Sequence, residues 1–203
     1  MTVALGTVHV LVDSVELAAA ALRGGATVLQ VRTKVGTDRE RLALVRGVAG
    51  RCRAAGALCV VNDRADLALA GGAHGVHLGA EDLPVAVARA LAPQLLIGGT
   101  ARNPETAQRL VSEGADYLGV GPVWATTSKA GLPDPIGTEG LEAVARSVPA
   151  PVIAISGVTA ERLPAALRAG AAGVAVIGAV SKAPDPATAT RELVEALDRE
   201  RIP

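Results

Sequence analysis

The chain has 203 residues with 20 basic and 20 acidic side chains, and half of its residues are apolar although only 1% are aromatic. The balanced charge argues against a broad surface for a polyanion, and the shortage of rings argues against a base-stacking surface, so we expect no nucleic-acid partner. The two cysteines, Cys52 and Cys59, are not spaced as a CxxC pair. This spacing argues against a zinc site or a disulfide framework and favours a reducing compartment.

The N-terminal segment has neither a basic n-region nor a long apolar run, so neither a signal peptide nor a membrane span is predicted. We therefore expect a soluble, cytoplasmic protein that does not associate with membranes. No linker or low-complexity tract divides the chain, and its length is sufficient for one sizeable core. The prediction is a single domain over residues 1–203.

Short apolar runs alternate along the chain with segments of helical periodicity. The predicted strands are Val8–Val12, Thr27–Arg32, Leu58–Asn62, Gly75–Leu78, Leu95–Gly98, Tyr117–Gly121, Val152–Ile155 and Gly173–Ile177. The predicted helices are Ser14–Arg23, Asp38–Ala55, Ala65–Ala70, Pro84–Leu91, Pro104–Glu113, Glu139–Ser147, Ala160–Ala169 and Pro186–Glu200. Such strict alternation predicts an α/β fold, a (β/α)₈ TIM barrel, rather than an open doubly wound sheet. No dinucleotide-binding or P-loop glycine motif follows a predicted strand, which also disfavours the open sheet.

A Gly-Ala pair precedes every second predicted strand, at Gly25-Ala26, Gly72-Ala73, Gly114-Ala115 and Gly170-Ala171. Glycine just past a helix adopts the left-handed conformation that closes the last turn. The recurrence supports a repeated strand-helix unit.

Ligands bind barrels of this kind at the carboxyl ends of the strands. The second predicted strand leads into Gln30, Arg32 and Lys34, which alternate in sequence and therefore point to the same side. Inward-pointing cations need an anion, and phosphate is the natural one. Solvated charges on a loop are the alternative.

Two carboxylates stand at neighbouring strand ends. Asp63 follows the third predicted strand and Asp82 lies in the loop after the fourth. Beside two cations, this pair favours Mg²⁺ that bridges to phosphate oxygens, although each aspartate alone is also a candidate helix N-cap. His77, inside the fourth strand, is predicted to be a barrel-interior residue with local hydrogen-bond partners.

The second half of the chain carries features of another anion site. The stretch 122–137 is the longest without periodicity, and its hydroxyl cluster and Lys129 predict an anion clamp, with a mobile surface loop as the alternative. Glycines follow the seventh and eighth strands, where barrels commonly bind phosphate on backbone N–H groups. Two phosphorylated ligands at one mouth favour a condensation over an isomerisation.

Six motifs follow one another along the chain: QVRTK at Gln30–Lys34, VNDRADLAL at Val61–Leu69, GVHLGAEDLP at Gly75–Pro84, GVGPVWATTSK at Gly119–Lys129, AISGV at Ala154–Val158 and GVAVIGA at Gly173–Ala179. In this order they resemble the thiamine-phosphate synthase family. The resemblance implies a transferase that joins hydroxymethylpyrimidine diphosphate to hydroxyethylthiazole phosphate. Pyrophosphate and thiamine monophosphate would be released, with Mg²⁺ as the cofactor.

The resemblance also implies roles for individual positions. The pyrimidine diphosphate would be held by Gln30, Arg32, Lys34, Asn62, Thr100 and Lys129, and Mg²⁺ by Asp63 and Asp82. The thiazole phosphate would be held by Thr126, Ser128, Gly157, Ile177 and Gly178, with Thr127 also at the substrate site. In the implied dissociative mechanism, the catalytic residues Arg32, Lys34 and Lys129 stabilise the departing pyrophosphate.

Some positions depart from the family pattern. Thr100 stands where the family often has serine, and Ser128 where it often has threonine, so both positions keep a hydroxyl. Gly178 stands in place of a common serine, and Ser156 in place of a usual glycine. Two other functions stay open: a thiazole tautomerase of the same barrel family, and a non-catalytic sensor of thiamine-pathway ligands. Neither explains why the chain retains the cations and the aspartate pair. A homo-oligomer is also left open.

Overall fold

The computed structural model describes Leu5 and residues 7–126 and 131–200. Its strands are β1 (Val8–Val12), β2 (Val28–Val31), β3 (Leu58–Asn62), β4 (Gly75–Leu78), β5 (Leu96–Ala101), β6 (Tyr117–Val120), β7 (Val152–Ile155) and β8 (Gly173–Val176). They pair in parallel and in sequence order, and β8 pairs with β1 to close the barrel. The predicted (β/α)₈ fold is thereby confirmed.

Helices connect successive strands and surround the barrel. They are α1 (Val15–Arg23), α2 (Asp38–Ala55), α3 (Ala65–Gly71), α4 (Val85–Leu91), α5 (Pro104–Ser112), α6 (Gly137–Ser147), α7 (Leu163–Arg168), α8 (Gly178–Ser181) and α9 (Pro186–Arg199). The glycines of the four Gly-Ala pairs all have positive φ, as predicted. None of the helices in the described part of the chain is long and apolar enough to cross a membrane.

Several predicted boundaries were wrong. Helix α7 begins at Leu163 rather than at residue 160, because residues 159–162 form a turn in which the N–H of Arg162 bonds the carbonyl of Thr159. Helix α8 was not predicted, since four residues are too few to show a helical period. Strand β5 extends to Ala101, past its two glycines.

The core has two layers, one on each face of the strands. The outward faces bury Val, Leu and Ile side chains under alanine-rich helices, as Val10, Leu29 and Ile97 do. Inside the barrel, Leu11, Tyr117, Ile153 and Ala175 form a separate cluster. Successive residues of a strand point to opposite faces, so the inward positions near the strand ends are free to carry the polar groups described next.

Candidate active site

A cavity of about 970 Å³ opens at the carboxyl ends of the strands. This volume lies at the upper end of the range of small-molecule sites. Of the residues predicted for the site, the following line it: Gln30, Arg32, Lys34, Asn62, Asp63, Asp82, Thr100, Thr126, Gly157, Ile177 and Gly178. The other three, Thr127, Ser128 and Lys129, lie outside the described residues. The fold therefore brings the described candidates to one cavity.

Side-chain hydrogen bonds connect the ends of β2 and β3. Nε2 of Gln30 donates to Oδ1 of Asn62, and Nδ2 of Asn62 donates to Oδ1 of Asp63. Gln30 is almost fully buried, and the inward positions of β2 and β3 bring its amide beside that of Asn62. This chain fixes the orientation of both amides and holds the Asp63 carboxylate at the cavity.

The backbone of Asp63 is held in an unusual conformation. Its φ is +68°, a region that non-glycine residues seldom occupy, and its N–H donates to the carbonyl oxygen of His77 at 2.8 Å. Ser156, at the end of β7, has φ of +77°. Both residues line the cavity, and strained backbone of this kind clusters at functional sites. Neither Asp63 nor Asp82 acts as a helix N-cap, since α3 and α4 are preceded by Arg64 and Pro84.

The carboxylates of Asp63 and Asp82 are close enough to affect each other's protonation. Burial raises the pKa of Asp63, and the hydrogen bond to Asp82 and the charge of Asp82 raise it further, while Lys34 and Arg32 oppose the shift. Asp82 is itself fixed, because its Oδ2 accepts a hydrogen bond from the N–H of Gly79 at 2.6 Å. A divalent cation between the two carboxylates would relieve their repulsion.

Cations lie next to this carboxylate pair. Nζ of Lys34 lies 3.9 Å from Oδ2 of Asp63, and two thirds of the lysine side chain is exposed to solvent. Arg41 of α2 fixes the loop that carries Lys34, because its guanidinium donates to the carbonyl oxygens of Lys34 and Val35 at 3.3 Å each. Arg32 is half-buried in the same cavity. This half of the cavity thus combines two cations with two carboxylates.

The opposite side of the cavity is built from backbone around Gly157. Its φ is +67°, and a Cβ there would lie 2.7 Å from the carbonyl oxygen of Ala125 and from Cβ of Trp124. The guanidinium of Arg162 lies over the ring of Trp124 at 5.6 Å and donates to the carbonyl of Gly157 at 2.8 Å. Only glycine permits this close approach of the loops after β6 and β7.

The long segment between β6 and α6 is fixed where it leaves and rejoins the barrel. The N–H groups of Ile136 and Gly137 donate to the carbonyl oxygens of Pro122 and Val123 at 2.8 and 3.1 Å. Its first residues also continue the pairing with β7, since the N–H of Trp124 donates to the carbonyl oxygen of Ser156 at 3.2 Å. The described ends of this segment are therefore part of the barrel rim.

The comparisons with known proteins agree with one another. The sequence model of the family described as thiamine monophosphate synthase matches residues 6–180. Thiamine-phosphate synthases of Salinispora arenicola and Salinispora tropica are 51% and 49% identical to this chain, in alignments that cover 95% of this chain and 98% of each relative. The solved thiamine phosphate pyrophosphorylase of Pyrococcus furiosus superposes with a TM-score of 0.90 at 38% identity, covering 97% of both chains.

The chain belongs to the thiamine monophosphate synthase family. The family match covers most of the chain, and relatives of about 50% identity are aligned over nearly their whole length. The resemblance seen in the motifs is confirmed, as is the expectation of a transferase enzyme of thiamine biosynthesis.

The sequence motifs led us to expect Mg²⁺, and the donor set of the cavity can be compared with the needs of this ion. In the described part of the chain, no three or more His, Cys, Asp or Glu side chains come together as a metal site. Mg²⁺ does not need such a cluster, because it keeps several waters and binds through one or two carboxylates and the phosphates of a substrate. The Asp63–Asp82 pair fits this requirement.

Several charged residues of the cavity were missed from the sequence. They are Glu81, Arg102, Arg162 and Lys182. Arg102 directly follows β5 and lines the cavity. Its Nη2 donates to the carbonyl of Asp134 at 2.6 Å. Lys182 follows the unpredicted helix α8, so its position at the mouth depends on a turn that the sequence pattern did not reveal.

Proposed function

We propose that the protein condenses 4-amino-2-methyl-5-(diphosphooxymethyl)pyrimidine with 4-methyl-5-(2-phosphooxyethyl)thiazole to form thiamine monophosphate and pyrophosphate. The observation that carries the proposal is the Asp63–Asp82 carboxylate pair flanked by Arg32 and Lys34 in one cavity. Family membership supports the same reaction.

The two halves of the cavity suit the two substrates. The side formed by β2, β3 and β4 offers cations and carboxylates to the diphosphate, and the hydrogen-bonded amides of Gln30 and Asn62 to the pyrimidine end. The side formed after β7 and β8 offers backbone around Gly157 and Gly178 to a monophosphate. We assign Thr126, Ile177 and the hydroxyls of Thr127 and Ser128 to the thiazole phosphate, with Thr100 and Lys129 on the diphosphate.

In the proposed reaction, the bond between the pyrimidine methylene carbon and the diphosphate oxygen breaks, and its electron pair leaves with pyrophosphate. The aminopyrimidine ring delocalises the positive charge that develops on the methylene carbon. The thiazole nitrogen then uses its lone pair to form the new C–N bond. No protein nucleophile takes part in this sequence.

The contribution of the chain is electrostatic and positional. The guanidinium of Arg32 and the ammonium of Lys34 stabilise negative charge as it accumulates on the leaving group. The hydrogen-bonded amides of Gln30 and Asn62 hold the pyrimidine against rotation, so that the methylene carbon faces the thiazole. Cys52 and Cys59 are fully buried in the outer layer, away from the cavity.

Asp63 and Asp82 are the residues that would hold Mg²⁺. When bound there, the ion supplies positive charge to the oxygens of the diphosphate. Asp63 is kept at this position by the hydrogen bond from Asn62, and Asp82 by the hydrogen bond from Gly79.

The deciding experiment mixes both substrates with the protein and MgCl₂ and follows the products by ³¹P NMR. We expect pyrophosphate and thiamine monophosphate in equal amounts, and neither product when one substrate is omitted. Conversion of a thiazole phosphate tautomer without condensation would instead identify a tautomerase. Binding of both substrates without turnover would identify a ligand sensor.

A further inference from the structure

The barrel interior contains a hydrogen-bonded chain of side chains that ends at the cavity. Nδ1 of His77 lies 3.2 Å from Oη of Tyr117, and Nε2 of His77 lies 3.0 Å from Oγ1 of Thr100. Tyr117 is 1% exposed. His77, which is 9% exposed, and the half-buried Thr100 both line the cavity. The chain therefore runs from the centre of the barrel to the proposed diphosphate site.

Two glycines provide the space for this chain. A Cβ at Gly98 would lie within 2.5 Å of both Tyr117 and His77, and a Cβ at Gly119 would lie 2.9 Å from Cε1 of His77. The register places Gly98 directly between the other two, because it is the strand partner of His77 on β4 and of Tyr117 on β6. The backbone is thus shaped around this one histidine and this one tyrosine.

The tyrosine determines which nitrogen of His77 carries the hydrogen. Among the described residues, Nδ1 of His77 is the only hydrogen-bond partner of the Tyr117 hydroxyl. A buried phenol without another acceptor donates its hydrogen to the one it has, since an unpaired buried donor costs about 1–3 kcal/mol. Nδ1 is then an acceptor, and the hydrogen of the neutral ring lies on Nε2.

This tautomer also determines what Thr100 can do. Nε2–H of His77 donates to Oγ1 of Thr100, so the threonine hydroxyl is an acceptor toward the barrel and keeps its own hydrogen for the cavity. In the opposite tautomer, Thr100 would use that hydrogen on His77. The His77 ring is 9% exposed and lies between two uncharged hydroxyl groups, and such burial favours its neutral form.

We propose that Tyr117 and His77 are positioning residues that fix Thr100 as a hydrogen-bond donor toward an anionic oxygen of the ligand. This inference rests on the proposed function in one respect only, namely that the anionic oxygen belongs to a diphosphate. It gives a role to a polar pair that lies in the barrel interior, where Tyr117 packs with Leu11, Ile153 and Ala175.

The first test is the tautomer itself, measured by ¹⁵N NMR on the ligand-free protein labelled at histidine. We expect the His77 ring to show a protonated Nε2 and an unprotonated Nδ1 at pH 7. In Tyr117→Phe, which keeps the ring and its packing, the population with a protonated Nδ1 should rise. A wild-type ring with its hydrogen on Nδ1 would overturn the proposal.

The second test is calorimetric binding of inorganic pyrophosphate in the presence of MgCl₂. His77→Leu and Thr100→Val should each weaken binding about tenfold, the effect of losing one hydrogen bond to a charged group. His77→Gln should restore most of the affinity, because its amide nitrogen can donate to Thr100 from the position of Nε2. Equal affinity in wild type and all three variants would contradict the proposal.

The two readouts separate this proposal from the proposed condensation. The tautomer and the binding of pyrophosphate are measured without the thiazole substrate. If the protein failed to form thiamine monophosphate but both results were as expected, the role of His77 would stand. If His77→Leu did not fold, Tyr117→Phe would still test both the tautomer and the affinity.

Discussion

Nζ of Lys34 lies 3.9 Å from Oδ2 of Asp63, although the two residues belong to different strand ends. The lysine is mostly exposed, so this ion pair adds little to the stability of the fold. Its position matters for another reason: it places an exposed cation beside the carboxylate that we assign to Mg²⁺. When the diphosphate binds, the ammonium group of Lys34 can pair with a phosphate oxygen instead of Asp63.

Replacing Lys34 should therefore affect catalysis far more than folding. For Lys34→Gln, we expect a free energy of unfolding within about 0.5 kcal/mol of wild type. The specificity constant for the diphosphate should fall by at least about tenfold, because a cation that meets the leaving group is lost. Steady-state kinetics and urea denaturation measure the two effects. Arg46→Gln is the control, since it also removes one cation, and Arg46 is exposed on α2 and donates, among the described residues, to the carbonyl of Ala70.

Replacing Asp63 should change the metal requirement. Asp63→Asn keeps an acceptor for the hydrogen bond from Asn62 and tolerates the left-handed backbone, so the fold should persist. We expect turnover to fall by two orders of magnitude or so, and the Mg²⁺ concentration for half-maximal activity to rise, because one anionic ligand is lost. Activity titrated against MgCl₂ measures both.

The control for this variant is Asp66→Asn. Asp66 lies three residues further on, is largely exposed and pairs with Arg64. It should leave the Mg²⁺ dependence unchanged. If Asp63→Asn showed the same Mg²⁺ titration as wild type, Asp63 would not be a metal ligand.

The sequence predicted the barrel and the shared direction of Gln30, Arg32 and Lys34, because alternation on a strand is a local property. Once the strands close in order, residues two apart on each strand meet at the same mouth. The residues at the strand ends therefore predicted much of the cavity lining, although no contact between strands was known.

Contacts between distant strands could not be predicted in the same way. The role of Tyr117 depends on a register that sets it opposite Gly98, and Gly98 opposite His77. A tyrosine at the start of an apolar strand is otherwise typical of ordinary packing. Arg162 was missed for a related reason. Its position depends on the turn that precedes α7 and on its contact with the ring of Trp124, which lies in a different loop.

The close approach of Gly157 to the loop after β6 predicts an effect on one substrate only. In Gly157→Ala, the new Cβ would push against Ala125 and Trp124, so the loop must move. We expect the KM for the thiazole phosphate to rise at least about tenfold, while the KM for the diphosphate changes little. Steady-state kinetics with each substrate varied in turn measure this difference.

Gly56→Ala is the matched control for Gly157→Ala. Gly56 has the same φ of +67°, but a Cβ there would meet no atom of the described residues within 4 Å. Both variants bear the cost of placing alanine in a left-handed conformation, about 1 kcal/mol in the free energy of unfolding. Only Gly157→Ala should alter the KM for the thiazole phosphate. Equal kinetic effects of both variants would show that backbone strain, and not the contact with Trp124, is responsible.

Buried histidines should make stability depend on pH. His9 is fully buried, and burial lowers its pKa to about 4, although its hydrogen bond to the carbonyl of Leu5 opposes the shift. The unfolded chain binds a proton at this position near pH 6.5, whereas the folded chain does not. The stabilising effect of the neutral ring is therefore complete above about pH 6.5 and is lost as the pH falls toward 4.

Between pH 7 and pH 5, His9 should account for a loss of about 2 kcal/mol in the free energy of unfolding. In His9→Gln, whose amide can still donate to Leu5, this part of the loss should disappear. Urea denaturation at both pH values measures it, and the carboxylates contribute equally to wild type and variant. His74→Gln is the control, because His74 is only half-buried and should retain most of the pH dependence. A variant His9→Gln with the full wild-type loss would show that His9 is protonated in the folded protein.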